Sequence, residues 1–255
     1  MAYWERAVDP RLATHVARIS FSTDPADAPL PVIRVVPDGR IDLLVSVDER
    51  GTGRMEVFGT KTAAIFVRSE RRVANVAFHF RPGAATAVLG VEADELTDRS
   101  LDASVLFSAS EVGLVLEPCS LSARQSRLEA LLLARLSSAA SDSASLARHA
   151  AALIERRAGR LRIAGLAAAL GVGERRLERA FRAHVGVSAK TFARIARFRA
   201  VWRALERGGR PVEIALAHGY FDQPHLVRDF AAFAGDPPRR IFPSRAPLRA
   251  ASLGP

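Results

Sequence analysis

Arg175, Arg179 and Arg182 are spaced so that an α-helix would bring all three to one side. At 100° per residue, Arg179 lies about 40° from Arg175 and Arg182 about 20° away on the other flank. Arg176 adjoins them, while Leu177, Phe181 and His184 gather on the opposite side with Ala180 beside them. A guanidinium is a planar fork of N–H donors that stays charged at any ordinary pH, so it grips phosphate oxygens and purine edges two bonds at a time. The stretch therefore offers an apolar face for a scaffold and a cationic face for a polyanion. A single basic helix face is more often just solvated, so the weight falls on what accompanies it.

What accompanies it is a second copy. Leu177-Glu178-Arg179-Ala180-Phe181 is followed five residues later by Gly186, and Leu226-Val227-Arg228-Asp229-Phe230 five residues later by Gly235, an offset of 49 residues. Each copy follows a short Ala/Leu-rich segment ending in glycine, Gly171 and Gly219. A repeated pair of short helices around a glycine turn, in a basic region, is the sequence form of two helix–turn–helix units that hold duplex DNA. In the second copy Leu226, Phe230 and Phe233 make the inner face, and the outer side offers Pro224, Arg228, Ala231 and Ala232, with one cation among them. The first unit should carry more of the electrostatic grip. The expected DNA contacts are Arg175, Arg176, Arg179 and Arg182 in the first unit, and Gln223, His225 and Arg228 in the second, with Asp222 a further polar group.

Those faces need a frame. Residues 163–170 read as the supporting helix of the first unit, small Ala167 and Ala168 allowing a close crossing and Gly171 making the turn. Between the units, 188–206 reads as one long helix capped by Ser188, with Phe192, Ile195, Trp202 and Leu205 inward and Lys190, Arg194, Arg197 and Arg203 toward solvent. Its 19 or so residues would span roughly 28 Å. Major-groove faces recur every ~34 Å of B-DNA, so a rigid helix of this length could set two readers in successive grooves.

The charge agrees. The chain of 255 residues carries +10, yet residues 151–255 hold 20 Lys+Arg against 8 Asp+Glu, a net +12, which leaves −2 for residues 1–150. A basic part joined to a near-neutral one points to a polyanion-binding module beside a sensing or assembly module. Cys119, alone of its kind, excludes an intrachain disulfide framework. With no signal-like opening and no apolar run of about 18 residues, the chain reads as soluble and cytoplasmic.

The near-neutral part has strand texture. Residues 32–36, 41–47, 55–58, 63–67 and 73–80 are rich in Val, Ile and Phe and are parted by Pro37-Asp38-Gly39, Glu49-Arg50-Gly51 and Arg81-Pro82-Gly83. Short strands at this spacing favour an antiparallel barrel or sandwich. Residues 91–98 read as a short helix or turn. Ser122 is placed as the cap of a helix to about Leu136, whose stripe Leu128, Leu131, Leu132 and Leu136 is either a dimer seam or a cover on the barrel. The Ser/Ala-rich stretch 137–145 is the expected boundary, followed by a helix over 145–157 ending at Gly159. Beyond Pro243 a loose tail is expected.

At these residues the sequence resembles a known family. Residues 160–243 look like the twin helix–turn–helix domain of AraC/XylS-type transcriptional regulators. The matching stretches are Leu166-Ala167-x₃-Gly171, Leu177-x-Arg179-x-Phe181-x₄-Gly186-Val187-Ser188, and Gly219-Tyr220-Phe221-Asp222-Gln223-Pro224-His225-Leu226, continuing through Arg228-Asp229-Phe230 to Gly235-Asp236-Pro237. The resemblance implies that the helices around 175–182 and 223–228 are the readers and the long helix a rigid linker. Ala189 stands where the family commonly has Pro, and Ala231 where it often has a basic residue, which lowers the affinity expected of the second unit. Upstream, Pro37-Asp38-Gly39-x-x-Asp42-Leu43, Phe80-x-Pro82-Gly83-Ala84 and Glu95-Leu96-Thr97-Asp98 are similar to a cupin-like N-terminal domain that accompanies some members, and imply effector sensing or dimerisation.

Other chemistry is thin. Asp38 and Asp42 could be ligand groups, but Pro-Asp-Gly is first a turn former. His79 could face a barrel interior, yet no second His or Glu joins it in a metal-binding spacing. No Gly-rich phosphate loop, no Gly-x-Ser-x-Gly and no paired carboxylates nominate a catalytic residue. The expected fold is thus α+β in two domains: an antiparallel, cupin-like barrel or sandwich over 1–118, a linker over 119–144, an all-α domain with two helix–turn–helix units joined by a long helix over 145–243, and the tail over 244–255. The expected function is a sequence-specific transcriptional regulator that is not an enzyme, has no cofactor or metal, and is modulated by an effector or by self-association. Its expected partner is double-stranded DNA, with RNA polymerase, an unnamed small effector and a second copy of the chain as further candidates and no membrane. The alternatives are a cupin-type enzyme or metal-binding protein with a DNA-binding appendage, and a constitutive architectural binder.

Overall fold

Alternation of apolar and polar residues builds the N-terminal half. Strands β1 (Ala2–Arg6), β2 (Val16–Thr23), β3 (Val32–Val35), β4 (Asp42–Asp48), β5 (Gly53–Phe58), β6 (Ile65–Arg68), β7 (Val73–Phe80) and β8 (Ser100–Asp102) appear in a computed structural model that describes residues 2–24, 29–30, 32–68, 70–136, 141–208 and 211–242. Six of them form one antiparallel sheet in the order β1-β2-β7-β4-β5-β8, and β3 pairs with β6 in a separate ribbon. The sheet ends at β1 and β8 without closing, so it is an open antiparallel sheet and not a sealed barrel. The register stacks large apolar residues on one face: Ile19 and Leu43 both lie opposite Phe78, and Phe21 and Val45 both opposite Val76.

That face is covered by helices. Helices α1 (Thr86–Leu89), α2 (Ala109–Leu116) and α3 (Leu121–Arg135) follow the sheet, and Val88, Val115, Leu128 and Leu132 join the same buried cluster as Phe21, Leu43 and Phe78. The leucine stripe of α3 therefore lies on the sheet, which decides between seam and cover. Its cap is Ser120, not Ser122, with the hydroxyl accepting from the Ala123 N–H. On the opposite face of the sheet, His79 bridges two neighbouring strands: Nε2 meets Ser20 Oγ and Nδ1 meets Asp42 Oδ1, each at 2.8 Å. Ser20 is buried, so this row ties β2, β7 and β4 together and presents no hydroxyl to solvent.

The C-terminal half is helical: α4 (Asp142–Arg156), α5 (Ile163–Ala169), α6 (Glu174–Val185), α7 (Ala189–Glu206), α8 (Pro211–Ala217), α9 (Gln223–Ala234) and α10 (Pro238–Ile241). Helix α4 starts three residues before the expected Ser145, because Ser141 supplies the cap. Two separate cores divide α7 between them. Ala147, Ile154, Leu166, Leu177 and Phe181 pack with Ala189 and Phe192 at its start. Ile195, Phe198, Val201 and Leu205 pack with Ile214, Leu226, Phe230 and Phe233. The second core is aromatic, with Phe198 meeting Phe230 edge-on at 4.9 Å and Trp202 stacked on Phe230 at 6.1 Å. The expected tail beyond Pro243 and part of the boundary stretch, 137–140, lie outside the described residues.

Candidate nucleic-acid interface

In the first unit, α6 buries Leu177, Ala180, Phe181 and Val185 and leaves Arg175, Arg176, Arg179 and Arg182 exposed. The helix ends at Gly186, whose φ of 88° is a left-handed conformation that a side chain would strain. The turn before the helix uses Gly171 in the same way, at φ 66°. Arg175 and Arg179 line one open groove with Glu174, Glu178 and Ile163 of α5. Arg182 is held by Glu178, Nε to Oε1 at 3.1 Å, while the other Glu178 oxygen accepts from the Ala189 N–H at 3.4 Å at the start of α7. Glu178 thus aims one cation and ties the reader to its linker, a role its place in the repeat did not disclose. Among the described residues, Arg175, Arg176 and Arg179 have no ion-pair partner. Three exposed guanidinium groups without an ion-pair partner, beside a fourth held by Glu178, leave their donors for an external polyanion.

In the second unit, Asp222 caps α9 by accepting from the His225 N–H at 2.7 Å, and Gly235 ends it at φ 77°. Leu226, Asp229, Phe230 and Phe233 are buried, and Pro224, Arg228, Ala231 and Ala232 are exposed. Gln223 is half-buried at the first helical position, and His225, also half-buried, packs edge-on to Tyr220 at 4.9 Å. Asp229 is ion-paired to Arg194 of α7 at 2.8 Å. Burial, with the Asp229 carboxylate nearby, holds the Tyr220 hydroxyl well above its usual pKa, so it stays protonated. Arg194 and Arg197 were expected to face solvent. Both are half-buried, because α7 has unit-two side chains on the flank that the helical wheel left open.

The two units are also tied directly. Arg160, before α5, donates to the Ala217 carbonyl at the end of α8 at 3.0 Å. Arg197 donates to the Gly159 carbonyl at 3.2 Å while its guanidinium lies over the Tyr220 ring at 5.5 Å. Gly159 has φ 70°, and a Cβ there would sit 1.9 Å from the Ala193 carbonyl oxygen, so only glycine permits this approach. Linker, turn and both units form one frame.

Residues 166–243 match the family model described as a helix-turn-helix domain. The chain carries an AraC-type helix–turn–helix domain. Ahead of it, residues 5–102 match a domain of unknown function, DUF6597. Among solved structures, the chain is similar to ToxT from Vibrio cholerae in its P21 crystal form, with a TM-score of 0.46 and 10% identity over 87% of this chain and 97% of that one. It is also similar to ToxT from Vibrio cholerae strain SCE256 with bound unsaturated fatty acid, at TM-score 0.43 and 10% identity over 84% and 91%. No curated protein matches the sequence. The match of residues 166–243 supports a DNA-binding regulator. No helix among the described residues is long and apolar enough to cross a membrane, and no group of three or more His, Cys, Asp and Glu among them could hold a metal ion.

The N-terminal lobe grips the AraC-type domain at the end of its first reader. Thr60 Oγ1 donates to the Val185 carbonyl and Thr97 Oγ1 to the Gly186 carbonyl, each at 2.6 Å. Thr86 Oγ1 meets His184 Nδ1 at 2.9 Å. The last carbonyls of a helix have no partner within it, so hydroxyls from the other lobe complete the C-terminus of α6. Burial holds the His184 imidazole below its usual pKa, with Arg148 adding to the effect and Glu92 opposing it. The N-terminal motif residues lie here too. The Gly39 turn comes so close to Phe192 that a Cβ would clash with its ring, and the Gly83 turn packs on Ala147 and Arg148 of α4. Asp38 is half-buried near Asp42, and desolvation first, then that neighbour, raises its pKa against the pull of Arg40 and Arg199. On the far side, Arg34 of β3 is ion-paired to Asp236 just past α9 at 2.8 Å, and Val36 packs on the second core. The threonines carried no periodic signal in the sequence. Their role exists only through the fold.

Proposed function

We propose that this chain is a sequence-specific transcriptional regulator that sets α6 and α9 into successive major grooves of duplex DNA, with the N-terminal lobe governing how the two readers are held. The DNA contacts we assign are Arg175, Arg176, Arg179 and Arg182 from α6, and Gln223, His225 and Arg228 from α9. The observation that carries this reading is the exposed face of α6, where Arg175, Arg176 and Arg179 lack an ion-pair partner among the described residues, on a frame locked to the second unit by Arg160 and Arg197. A monomer with two readers has no need of a partner subunit to recognise a bipartite site. The contacts of the lobe with both units favour regulation over constitutive architectural binding, since any change that moves the lobe must act on both readers. Affinity should come mainly from arginine–phosphate contacts and fall steeply with salt.

The test is selection of binding sites from random duplex, followed by titration of the selected operator against a scrambled one. Arg179→Ala should cost about 1–3 kcal/mol on the operator and much less on the scrambled duplex. Equal loss on both would make Arg179 a phosphate contact, and failure to bind any duplex would end the proposal.

A further inference from the structure

We infer that the second unit reads thymine methyl groups, so that the operator is chemically divided: guanine contacts under α6 and an A·T stretch under α9. This rests on the proposal above that both helices enter the major groove. The two readers superpose by a constant offset of 49 residues, with Gly173 and Asp222 as caps, helices of 12 residues each, and Gly186 and Gly235 at the ends. On that register Arg179 corresponds to Arg228, but Arg175 corresponds to Pro224, Arg176 to His225 and Arg182 to Ala231. Three cations of the first face have been exchanged, two of them for apolar groups.

The apolar character continues beyond the helix. Phe221, the residue before the Asp222 cap, is 88% exposed, the most exposed large hydrophobic side chain among the described residues, and Leu216 at the end of α8 is 67% exposed. Phe221, Pro224, Ala231 and Ala232 thus border Arg228 with surface that would gain nothing from water. The position of Phe221 is where a reader helix begins, the end that meets base edges in a helix–turn–helix. Within the major groove the base edges are donors and acceptors, with one exception, the C5 methyl of thymine. Apolar side chains placed on a reader find their only matching partner there. The bidentate forks of α6 match the O6 and N7 acceptors of guanine instead. Arg228 keeps the second face anchored to phosphate, so the unit can dock without its lost cations.

The experiment uses the full-length protein and the selected operator. Each thymine is replaced in turn by deoxyuridine, which removes only the methyl, and each guanine by 7-deazaguanine, which removes only N7. Removing a contacted methyl should weaken binding about fourfold, the value of one methylene-sized group kept from water. The sensitive thymines should cluster in one half, about one turn from the sensitive guanines. In the Phe221→Ala and Ala231→Ser variants the deoxyuridine effect should shrink toward one while the guanine effect stays, and in Arg179→Ala the reverse should hold. Phe221 is so exposed that its truncation leaves the fold intact, which thermal melting verifies. An operator bound tightly but indifferent to every deoxyuridine overturns this inference and leaves the proposed function standing. So does a thymine effect that persists unchanged in both variants. A protein that binds no duplex removes both.

Discussion

In the first unit the reader runs from Glu174 to Val185 between Gly173 and a left-handed Gly186. Forty-nine residues on, the second runs from Gln223 to Ala234 between Asp222 and a left-handed Gly235. The inner faces match, Leu177 and Phe181 against Leu226 and Phe230, while the outer faces do not. Their surroundings differ as well. Gly186 is packed under the N-terminal lobe, where a Cβ would come within 2.6 Å of Thr97 Oγ1, whereas a Cβ on Gly235 would meet open space. The comparison separates what makes the scaffold from what makes the reader. Apolar residues and glycines recur because the backbone requires them, and the outward side chains vary because only a partner constrains them.

Four perturbations would break or sharpen this contrast. The largest effect is expected where the units are alike: Phe181→Ala and Phe230→Ala should each cost about 3–5 kcal/mol in urea unfolding, and a small loss at either would show that its unit does not stand on its own core. Next is the outer face. Replacing Arg175 and Arg179 together by Ala should weaken operator binding by about 2–4 kcal/mol with much less loss on scrambled duplex, whereas Arg228→Ala should weaken both duplexes alike and lower the salt slope by roughly 1; the same pattern in both variants would erase the asymmetry. The glycines come third. Gly235→Ala should cost about 1–2 kcal/mol for its left-handed backbone, and Gly186→Ala visibly more by the same denaturation measurement, because the threonine clasp must open.

The smallest effect is in pH. The folded pKa of His184 lies below the ordinary 6.5 because of burial, so the unfolded chain binds the proton first as pH falls. Stability is full above that value, declines as pH drops below 6.5 and levels off beneath the folded pKa. His218 in the second unit shifts the same way, through burial and then Arg160 and Arg207. Melting curves between about pH 7.5 and 5.5 should therefore flatten partly in His184→Gln and partly in His218→Gln. An unchanged slope in His184→Gln would deny the imidazole its place in the clasp.

Much of the helical half was legible because its signals are local. Ser188 caps α7, Gly171 and Gly219 make the turns, and the Leu-x-Arg-x-Phe repeat falls on the two matching helices α6 and α9. The strands 55–58 and 73–80 were legible by composition. β2 was not named: Ile19 and Phe21 alternate with Ser20 and Ser22, but two large apolar residues make a short signal, and the register shift between Val16 and Arg18 interrupts the pattern at its start. The short edge strands β1 and β8 carry too few apolar residues to announce themselves. Arg194 and Arg197 looked like surface residues, since a helical wheel knows nothing of a second unit packed alongside. Thr60 and Thr86 carried no signal, and Thr97 stood only inside the quoted Glu95-Leu96-Thr97-Asp98 stretch with no role attached: such hydroxyls gain meaning only when a distant helix end arrives beside them.

The ties from Arg160 to Ala217 and from Arg197 to Gly159 also bear on the promoter. Readers joined by a hinge can follow an operator that has been stretched. These cannot, so one base pair inserted between the half-sites turns the far half by about a tenth of a revolution, and the torsion must be taken up by the duplex. Spacing is then as much a part of the address as the letters themselves, and insertions between the halves should be as silencing as substitutions within them.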